Sequence, residues 1–532
     1  MRDRKKYYQI ACRYRVHDAG YKNTLLGGKM SRCLDTSLCV PIARYGRFLG
    51  MGLVASLLVL SPGYAQKTAP PANSTGNNGV GNGGTNNGNG GTNNGVGNGA
   101  NKKGEAGSDR ALRLLTLTPV PVSNVNTTGG AMYSFDISFV DQATQTYYLA
   151  DRSNKAVDVV DAKTGQFVTQ IFGNFKGFTP CSPAAGANDC AGPNGVVAAF
   201  PWLFVTDGGS RVVTFDLRTS PPTLVSDVTT AAGDQRRADE LAYDPQHGTL
   251  LVINNADDPP FGTLISVNQT NGHLTVGARI TFDTAHSGVN AQNGAEQPVW
   301  DPGSNRFYLS IPQIGGPAGG PSAGQPVPNG AVIRINPFTA TVEAQYPVPL
   351  CGPAGLTLGP QTGLGNQDLF VGCNEVADTN GNLWDPAGAV PADPRDVIVN
   401  ASNGHIDATI FGVGAGDEVW FNPGDNNYYA TGSGSPQRPL PAATASGSTP
   451  AGVVDAKDET LTQLFPTYNV AAVTTATPGH PAHPAGTAHS IAANAANNHV
   501  FVPLAANNAV LSPDATKNCL TGCIAVFWHG DE

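Results

Sequence analysis

Helical periodicity is nearly absent from this sequence, and only 13% of its residues are charged. The sequence also lacks the G-x-S-x-G motif of serine hydrolases and the C-x-x-C-H motif of covalent haem attachment. The G-x-G patterns in its Gly- and Asn-rich tract follow no strand and precede no helix, so they do not form a dinucleotide fingerprint. These absences argue against a helical protein, a nucleophilic serine hydrolase, a haem protein and a nucleotide-binding protein.

The few charges are unevenly distributed along the chain, whose net charge is −9. Residues 1–65 carry 11 Lys and Arg against 3 Asp and Glu, which leaves 20 against 37 in the remainder. An acidic body repels phosphate groups, and it therefore argues against nucleic acid or an anionic membrane surface as a partner.

The basic N-terminus has the features of a secretory signal. Arg44 and Arg47 precede an apolar run at residues 48–60, and small residues follow at the place where signal peptidase cleaves. We predict a signal peptide at residues 1–65 with an over-long front end, or an ordinary one that starts at Met30. The apolar run is short for a membrane span, which favours a cleaved signal. An uncleaved anchor is the alternative.

Two further regions follow the signal. Residues 66–108 form a Gly- and Asn-rich tract with almost no apolar side chains, which predicts a disordered linker. Residues 109–532 form the remaining domain. A signal without a later membrane span predicts a protein that is secreted or periplasmic, from a bacterium.

The remaining domain repeats one pattern about seven times. In the first copy, short segments at 134–139, 147–151, 157–161 and 167–171 alternate between apolar and polar residues, with Asp, Asn and Gly turns between them. Four strands per repeat predict an all-β propeller of four-stranded antiparallel blades. Seven blades are preferred over six, and residues 112–117 are expected to add an outer strand to the last blade.

The repeat resembles those of bacterial seven-bladed propellers, a group that includes YVTN and NHL repeats and the SMP-30 and lactonase-type enzymes. In the SMP-30-like enzymes a metal lies at the tunnel mouth and is held by Glu, Asn and Asp. The resemblance therefore implies Glu240, Asn194 and Asp136 as matching ligands here. It is carried by these residues: Tyr148, Leu149, Ala150, Asp151, Asn154, Val157, Val159 and Asp161.

The lengths of the connections predict which face is functional. We label the four strands of each blade A to D, counting outward from the tunnel. The A–B and C–D turns are short and rich in Asp, Asn and Gly. The long B–C and D–A connections leave an antiparallel blade on the same side, so we expect a binding site there. The long connections are residues 172–194, 315–330, 374–395, 432–453, 470–489 and 505–522.

Six cysteines lie beyond residue 65, and an even number in an exported protein predicts disulfides. Pairing by proximity along the chain gives Cys181–Cys190, Cys351–Cys373 and Cys519–Cys523, although six cysteines allow about fifteen connectivities. All three pairs fall in or beside the long connections.

The starts of the A strands point to the same tunnel mouth, and polar or ionisable groups recur at six of seven equivalent positions. Carboxylates that converge on one axis repel one another and favour a cation, a proton or a basic partner. Oxygen ligands suit Ca²⁺, whereas a histidine favours Zn²⁺ or Mn²⁺. The alternative is that these groups cap strand ends and bond to neighbouring blades. The residues are Asp136, Asn194, Asp239, Glu240, Glu296, Gln297, Asp417, Glu418, His489 and Ser490.

Two functions remain. The favoured one is a monomeric exported propeller that binds a small molecule or a protein through the looped, disulfide-stapled face. The alternative is a metal-dependent lactonase, other hydrolase or lyase that uses one divalent metal (Ca, Zn or Mn) and Glu296 or Glu418 as the general base. Its predicted metal ligands are Asp136, Asn194, Glu240 and His489. A quinone-dependent dehydrogenase is disfavoured, because the repeated tryptophan docking motifs of eight-bladed relatives are missing.

Overall fold

The computed structural model describes most of the repeat domain. The predicted signal at 1–65 and the linker at 66–108 lie outside the described residues, and so does most of the long connections at 315–330, 374–395 and 432–453. The described residues are 111–181, 187–314, 329–362, 366–380, 394–414, 417–431 and 447–529.

Seven four-stranded antiparallel sheets form the blades of a β-propeller, which confirms the predicted fold and blade number. The only helix among the described residues is the 3-10 turn Asn188–Cys190, so no helix of this part is long and apolar enough to cross a membrane. From A to D, blade one is β2 (Ser138–Asp141), β3 (Thr146–Asp151), β4 (Ala156–Asp161) and β5 (Gln166–Phe172). Blade two is β6 (Val196–Ala199), β7 (Trp202–Asp207), β8 (Arg211–Asp216) and β9 (Thr223–Thr229). Blade three is β10 (Leu241–Asp244), β11 (Thr249–Asn254), β12 (Phe261–Val267) and β13 (Leu274–Thr281).

The other four blades follow the same plan. Blade four is β15 (Pro298–Asp301), β16 (Arg306–Ile311), β18 (Asn329–Asn336) and β19 (Thr341–Pro349). Blade five is β20 (Cys351–Thr362), β21 (Asn366–Val376), β22 (Arg395–Asn400) and β23 (Ile406–Phe411). Blade six is β24 (Val419–Asn422), β25 (Asn427–Ala430), β26 (Gly447–Asp455) and β27 (Thr460–Asn469). Blade seven is β28 (Ala492–Asn494), β29 (His499–Leu504), β30 (Cys523–Trp528) and β1 (Arg113–Pro119).

The outer strand of blade seven comes from the other end of the chain, as predicted. β1 pairs antiparallel with β30, and Leu117 lies opposite Ala525. Just before β1, the backbone of Leu112 exchanges two hydrogen bonds with the Gln463 side chain of blade six. Strands from both ends therefore close the ring, which covers the edge that β30 would otherwise expose.

The core lies between the blades, because each sheet packs its faces against its two neighbours. The B and C strands are buried at nearly every position, as in β3 and β4, whereas β5 and β9 at the rim expose many of their residues. Strands buried on both faces need continuous apolar runs, and half-exposed strands need alternation. In blade one, residues 147–150 of β3 are accordingly all buried and mostly apolar, whereas β5 mixes buried and exposed positions.

The short turns are structural, as the sequence predicted. In turn after turn, an Asp or Asn side chain accepts a hydrogen bond from the backbone N–H two residues later, which fixes the reversal of the chain. These residues are Asp141, Asp161, Asp244, Asn268, Asp301, Asn336, Asn400, Asn422 and Asp455.

The opposite face carries the longer connections. A short ribbon pairs β14 (Ala291–Gln292), from the D–A connection before blade four, with β17 (Gln313–Ile314), from the B–C connection of the same blade. This pairing puts both types of connection on one face. The connection at 470–489 is more regular than we expected, because isolated bridges such as Val470–Gly486 fold it back on itself.

The three predicted disulfides are present in the structure: Cys181–Cys190, Cys351–Cys373 and Cys519–Cys523. Cys181–Cys190 lies within the connection at 172–194, and Cys519–Cys523 joins the connection at 505–522 to the start of β30. Cys351–Cys373 joins the start of β20 to β21 directly before the connection at 374–395. They staple the face that carries these connections, and disulfides of this kind fit an oxidising extracellular compartment.

We predict that Leu117→Ala destabilises the closed ring. The Leu117 side chain is fully buried between blades, so its truncation should lower the free energy of unfolding by about 2–5 kcal/mol. Urea titration of the disulfide-intact protein measures the change. The matched control is Leu511→Ala, because Leu511 is 81% exposed and its truncation should change stability by less than about 0.5 kcal/mol. Equal midpoints for the two variants would contradict a stabilising role for this closure.

Candidate functional site

Seven equivalent positions surround the tunnel mouth, one just before each A strand. A backbone hydrogen bond marks these positions at four boundaries between blades. In each of the four, the carbonyl at this position accepts from the N–H group one residue after the equivalent position in the preceding blade. Ile137 N donates to Asn194 O (3.3 Å) and Glu418 N donates to His489 O (3.1 Å). Blade five contributes Ala354, so ionisable or polar groups occupy the other six. The positions are Asp136, Asn194, Asp239, Glu296, Ala354, Asp417 and His489.

Three of these residues converge. One ligand atom of each of Asp136, Asp417 and His489 lies within 4.8 Å of the other two. His489 Nε2 lies 3.5 Å from Asp136 Oδ1. Blade seven adjoins both blade six and blade one, so His489 stands between the two carboxylates. Two carboxylates and one imidazole form a three-ligand set that suits Zn²⁺ or Mn²⁺.

The orientation of His489 is fixed by its own loop. Its Nδ1 lies 2.8 Å from the carbonyl oxygen of Thr487, and its ring stacks on Phe135 at a centroid distance of 5.0 Å. The hydroxyl oxygen of Thr487 also lies 2.8 Å from Nδ1, so Thr487 holds this nitrogen and Nε2 is directed to the carboxylates. A backbone carbonyl that binds the second ring nitrogen is the usual support of a metal-binding histidine.

Burial and neighbouring charges set the pKa values in this cluster. Burial acts to raise the pKa of Asp136, but Arg152 and the hydrogen bond from His489 lower it to about 2. Burial acts to lower the pKa of His489, whereas the hydrogen bond with Asp136 and the charge of Asp417 raise it. A divalent cation bound between Asp136 and His489 would compete with a proton on Nε2.

Two buried arginines neutralise part of the acidic ring. Arg152 follows β3, and its Nη2 forms an ion pair with Asp136 and lies 3.7 Å from Asp239 Oδ1. Arg237 Nη2 donates to Asp239 Oδ2 at 2.8 Å. No lysine or arginine in the described ranges forms an ion pair with Asp417. Burial raises the pKa of Asp417, and the neighbouring charge of His489 acts to lower it.

Asn194 holds Arg152 in this position. Its Oδ1 accepts from Arg152 Nε at 2.8 Å, and its Nδ2 donates to the carbonyls of Ala191 and Ala238. Nearby, Asn188 Oδ1 accepts from Arg152 Nη1 at 2.9 Å. The Cys181–Cys190 disulfide fixes the 3-10 turn that carries Asn188. Asn194 lies beside the cluster and is occupied by the guanidinium, so its predicted role as a metal ligand stays a prediction.

Glu418, predicted as a general base, joins three blades. Its Oε2 accepts from Ser490 Oγ (2.5 Å) and Ile491 N (3.0 Å) in blade seven, and from Ser138 N (3.3 Å) in blade one. Burial nevertheless raises its pKa to about 8. This part of the ring matches the alternative interpretation, in which mouth residues bond to neighbouring blades.

Glu296 and Glu240 have fewer partners. Burial, followed by the charges of Asp239 and Asp417, raises the pKa of Glu296 to about 8. Burial and the neighbouring carboxylates raise the pKa of Glu240 well above its usual value. Glu240 does not belong to the three-residue cluster and faces the tunnel below it. Its role as a metal ligand, like that of Glu296 as a base, stays a prediction.

The sequence analysis did not identify Arg152 or Arg237 as site residues. A signal for both was present. The acidic body contains few basic residues, and these two lie at the end of a B strand and two residues before a mouth position. Asp417 was placed on the ring but was not named as a metal ligand, since only the fold brings it to His489.

Comparison with known proteins shows little sequence relationship. No protein-family model matches the chain, and no curated protein matches it. Among solved structures, the chain is similar to hydrazine synthase of Kuenenia stuttgartiensis, with a TM-score of 0.45 and 10% sequence identity over 72% of this chain and 95% of that one.

We predict that the metal-free protein loses stability as pH rises from about 5 to 8. In this range the native state keeps a proton on Glu296, whose pKa is about 8, whereas the unfolded state has lost it near pH 4.5. Unfolding then releases a proton, and the free energy of unfolding falls with pH. Urea titrations at several pH values measure the slope, which Glu296→Gln should reduce.

Glu343→Gln is the matched control for this prediction. Its bonds to Arg306 lower the pKa of Glu343 to about 2, so it is ionised above pH 5 in both states. The slope between pH 5 and 8 should therefore stay unchanged in this variant. A Glu296→Gln slope equal to that of the unmodified protein would contradict a native-state proton on Glu296.

Proposed function

We propose that this protein is an exported propeller that binds a small ligand at the tunnel mouth through one divalent metal ion. The observation that carries the proposal is the convergence of Asp136, Asp417 and His489, with ligand atoms within 4.8 Å of one another. The disulfides support export, and the long connections around the mouth support a binding face.

The residues divide into ligands and supports. Asp136, Asp417 and His489 would hold the metal through one oxygen each and through Nε2. Arg152 binds Oδ2 of Asp136 and so leaves Oδ1 on the side of His489. Thr487 fixes the imidazole through Nδ1. A three-ligand site retains coordination positions for an external molecule, and the metal would supply Lewis acidity to an oxygen atom of that molecule.

We expect the protein, purified from an exported preparation without chelator, to contain about one equivalent of Zn or Mn per chain, in line with three-ligand sites. Elemental mass spectrometry measures the content. His489→Gln and Asp417→Asn should each reduce it strongly, because each removes one of three ligands.

A surface histidine provides the matched control. His405 also lies beside an aspartate, Asp407, at 2.8 Å, but its side chain is 73% exposed. His405→Gln should therefore retain the metal. A metal-free protein that stays folded and takes up no Zn²⁺ or Mn²⁺ on dialysis would overturn the proposal and leave the mouth carboxylates with a structural role.

A metal-dependent hydrolase is the second candidate, and Glu296 favours it. The pKa of Glu296 is raised to about 8 by burial and then by the charges of Asp239 and Asp417. A carboxyl group with a pKa close to neutrality is suited to general acid–base work. In this candidate Glu296 accepts the proton of a water molecule at the mouth, and a lactone or an ester is the substrate class.

We expect Glu296→Gln to lower kcat on a lactone or ester substrate by about 10²–10⁴-fold, the usual contribution of a general base. Its metal content should stay unchanged, because Glu296 is not a ligand in this proposal. A lactone and ester screen of the metal-loaded protein, with elemental analysis of both forms, tests this. Turnover that is unaffected by Glu296→Gln would exclude Glu296 as the base. A metal-loaded protein without turnover would exclude the hydrolase candidate and leave only the binding function.

A further inference from the structure

A cavity lies inside the tunnel, below the charged mouth. It has a volume of about 350 Å³, which is within the range of small-molecule sites. The A strands of blades one to six line it, from Glu240 and Glu418 near the mouth to Pro245 in the turn after β10. Its far end therefore approaches the face with the short turns, away from the proposed metal.

The walls of this cavity are apolar and partly aromatic. Phe139, Tyr243 and Trp420 contribute partly exposed rings, and Phe139 meets Trp420 edge to face at a centroid distance of 5.6 Å. Val197 and Val299 complete the apolar surface between them. An apolar chamber with a few polar groups at one end is the usual form of a small-molecule site.

The polar end of the cavity is acidic. Glu240 is 4% exposed, and its carboxylate makes no hydrogen bond to any of the described residues. It differs in this respect from Glu418, whose carboxylate accepts bonds from blades one and seven. No Lys, Arg or His is among the described residues that line the cavity. A buried carboxyl group without a partner is costly, and a cation bound beside it would favour its ionised form.

We propose that this cavity binds an organic ammonium ion, a protonated amine with an apolar body, whose ammonium group bonds to Glu240. The apolar body of the amine lies against the rings of Phe139, Tyr243 and Trp420. A carboxylate bond to an ammonium ion is a charge-assisted one and is among the stronger kinds of hydrogen bond in proteins. The site is separate from the metal cluster and does not depend on the function proposed for it.

The test uses two probes of the same shape and different charge. The full disulfide-intact chain is titrated calorimetrically with 2-phenylethylammonium chloride and with the neutral 2-phenylethanol, in EDTA. The amine should bind about tenfold or more tightly than the alcohol, which is the usual effect of a hydrogen bond to a charged group. Equal affinities would overturn the proposal in favour of a purely apolar cavity, and no binding of the amine would also overturn it.

Two variants locate the site. Glu240→Gln keeps the size of the side chain but cannot ionise, so it should weaken binding of the amine about tenfold and leave binding of the alcohol unchanged. Val299→Phe should reduce binding of both probes because it fills the chamber, and it provides the test if Glu240→Gln does not fold. Glu375→Gln, an exposed carboxylate outside the tunnel, should bind like the unmodified protein. Amine binding that is unaltered in Glu240→Gln or in Val299→Phe would show that it occurs elsewhere.

Discussion

The hydrogen bonds between β1 and β30 close the circle of blades, and the geometry of the mouth depends on that closure. Asp136 belongs to the first blade, Asp417 to the sixth and His489 to the seventh. An open ring would leave the first and seventh blades without a fixed relation, and the cluster would lose one carboxylate. A long-range backbone pairing therefore determines the distances between side chains that lie far apart in the sequence.

Closure also concentrates charge. Each blade presents its A strand to the axis, so a polar residue repeated at one position of the repeat becomes a ring of like charges. Several features of the structure reduce this repulsion. Arg152 and Arg237 neutralise Asp136 and Asp239, while backbone and hydroxyl donors surround Glu418. Burial keeps protons on other carboxyl groups, as the raised pKa of Glu296 shows. Some residues of the mouth therefore stabilise the fold, and others remain available to bind ligands.

Much of the fold could be predicted from the sequence, because each repeat carries its own local information. Alternation identified the strands, and Asp and Asn residues such as Asp161 and Asn422 marked the turns that they stabilise. The short spacing within each cysteine pair suggested the disulfides. The site was harder to predict, because its contacts join different blades. The bond from Arg152 to Asn194 and the approach of Asp417 to His489 depend on how neighbouring sheets are rotated, which strand patterns do not encode.

The mixed composition of blade seven has a consequence for the order of events during folding. Thr521 donates to the backbone carbonyl of Val120 across a separation of 401 residues, and contacts of such long range form late. β1 therefore stays unpaired until β30 has been synthesised. Until the two strands pair, the unpaired strand edges are sites for aggregation.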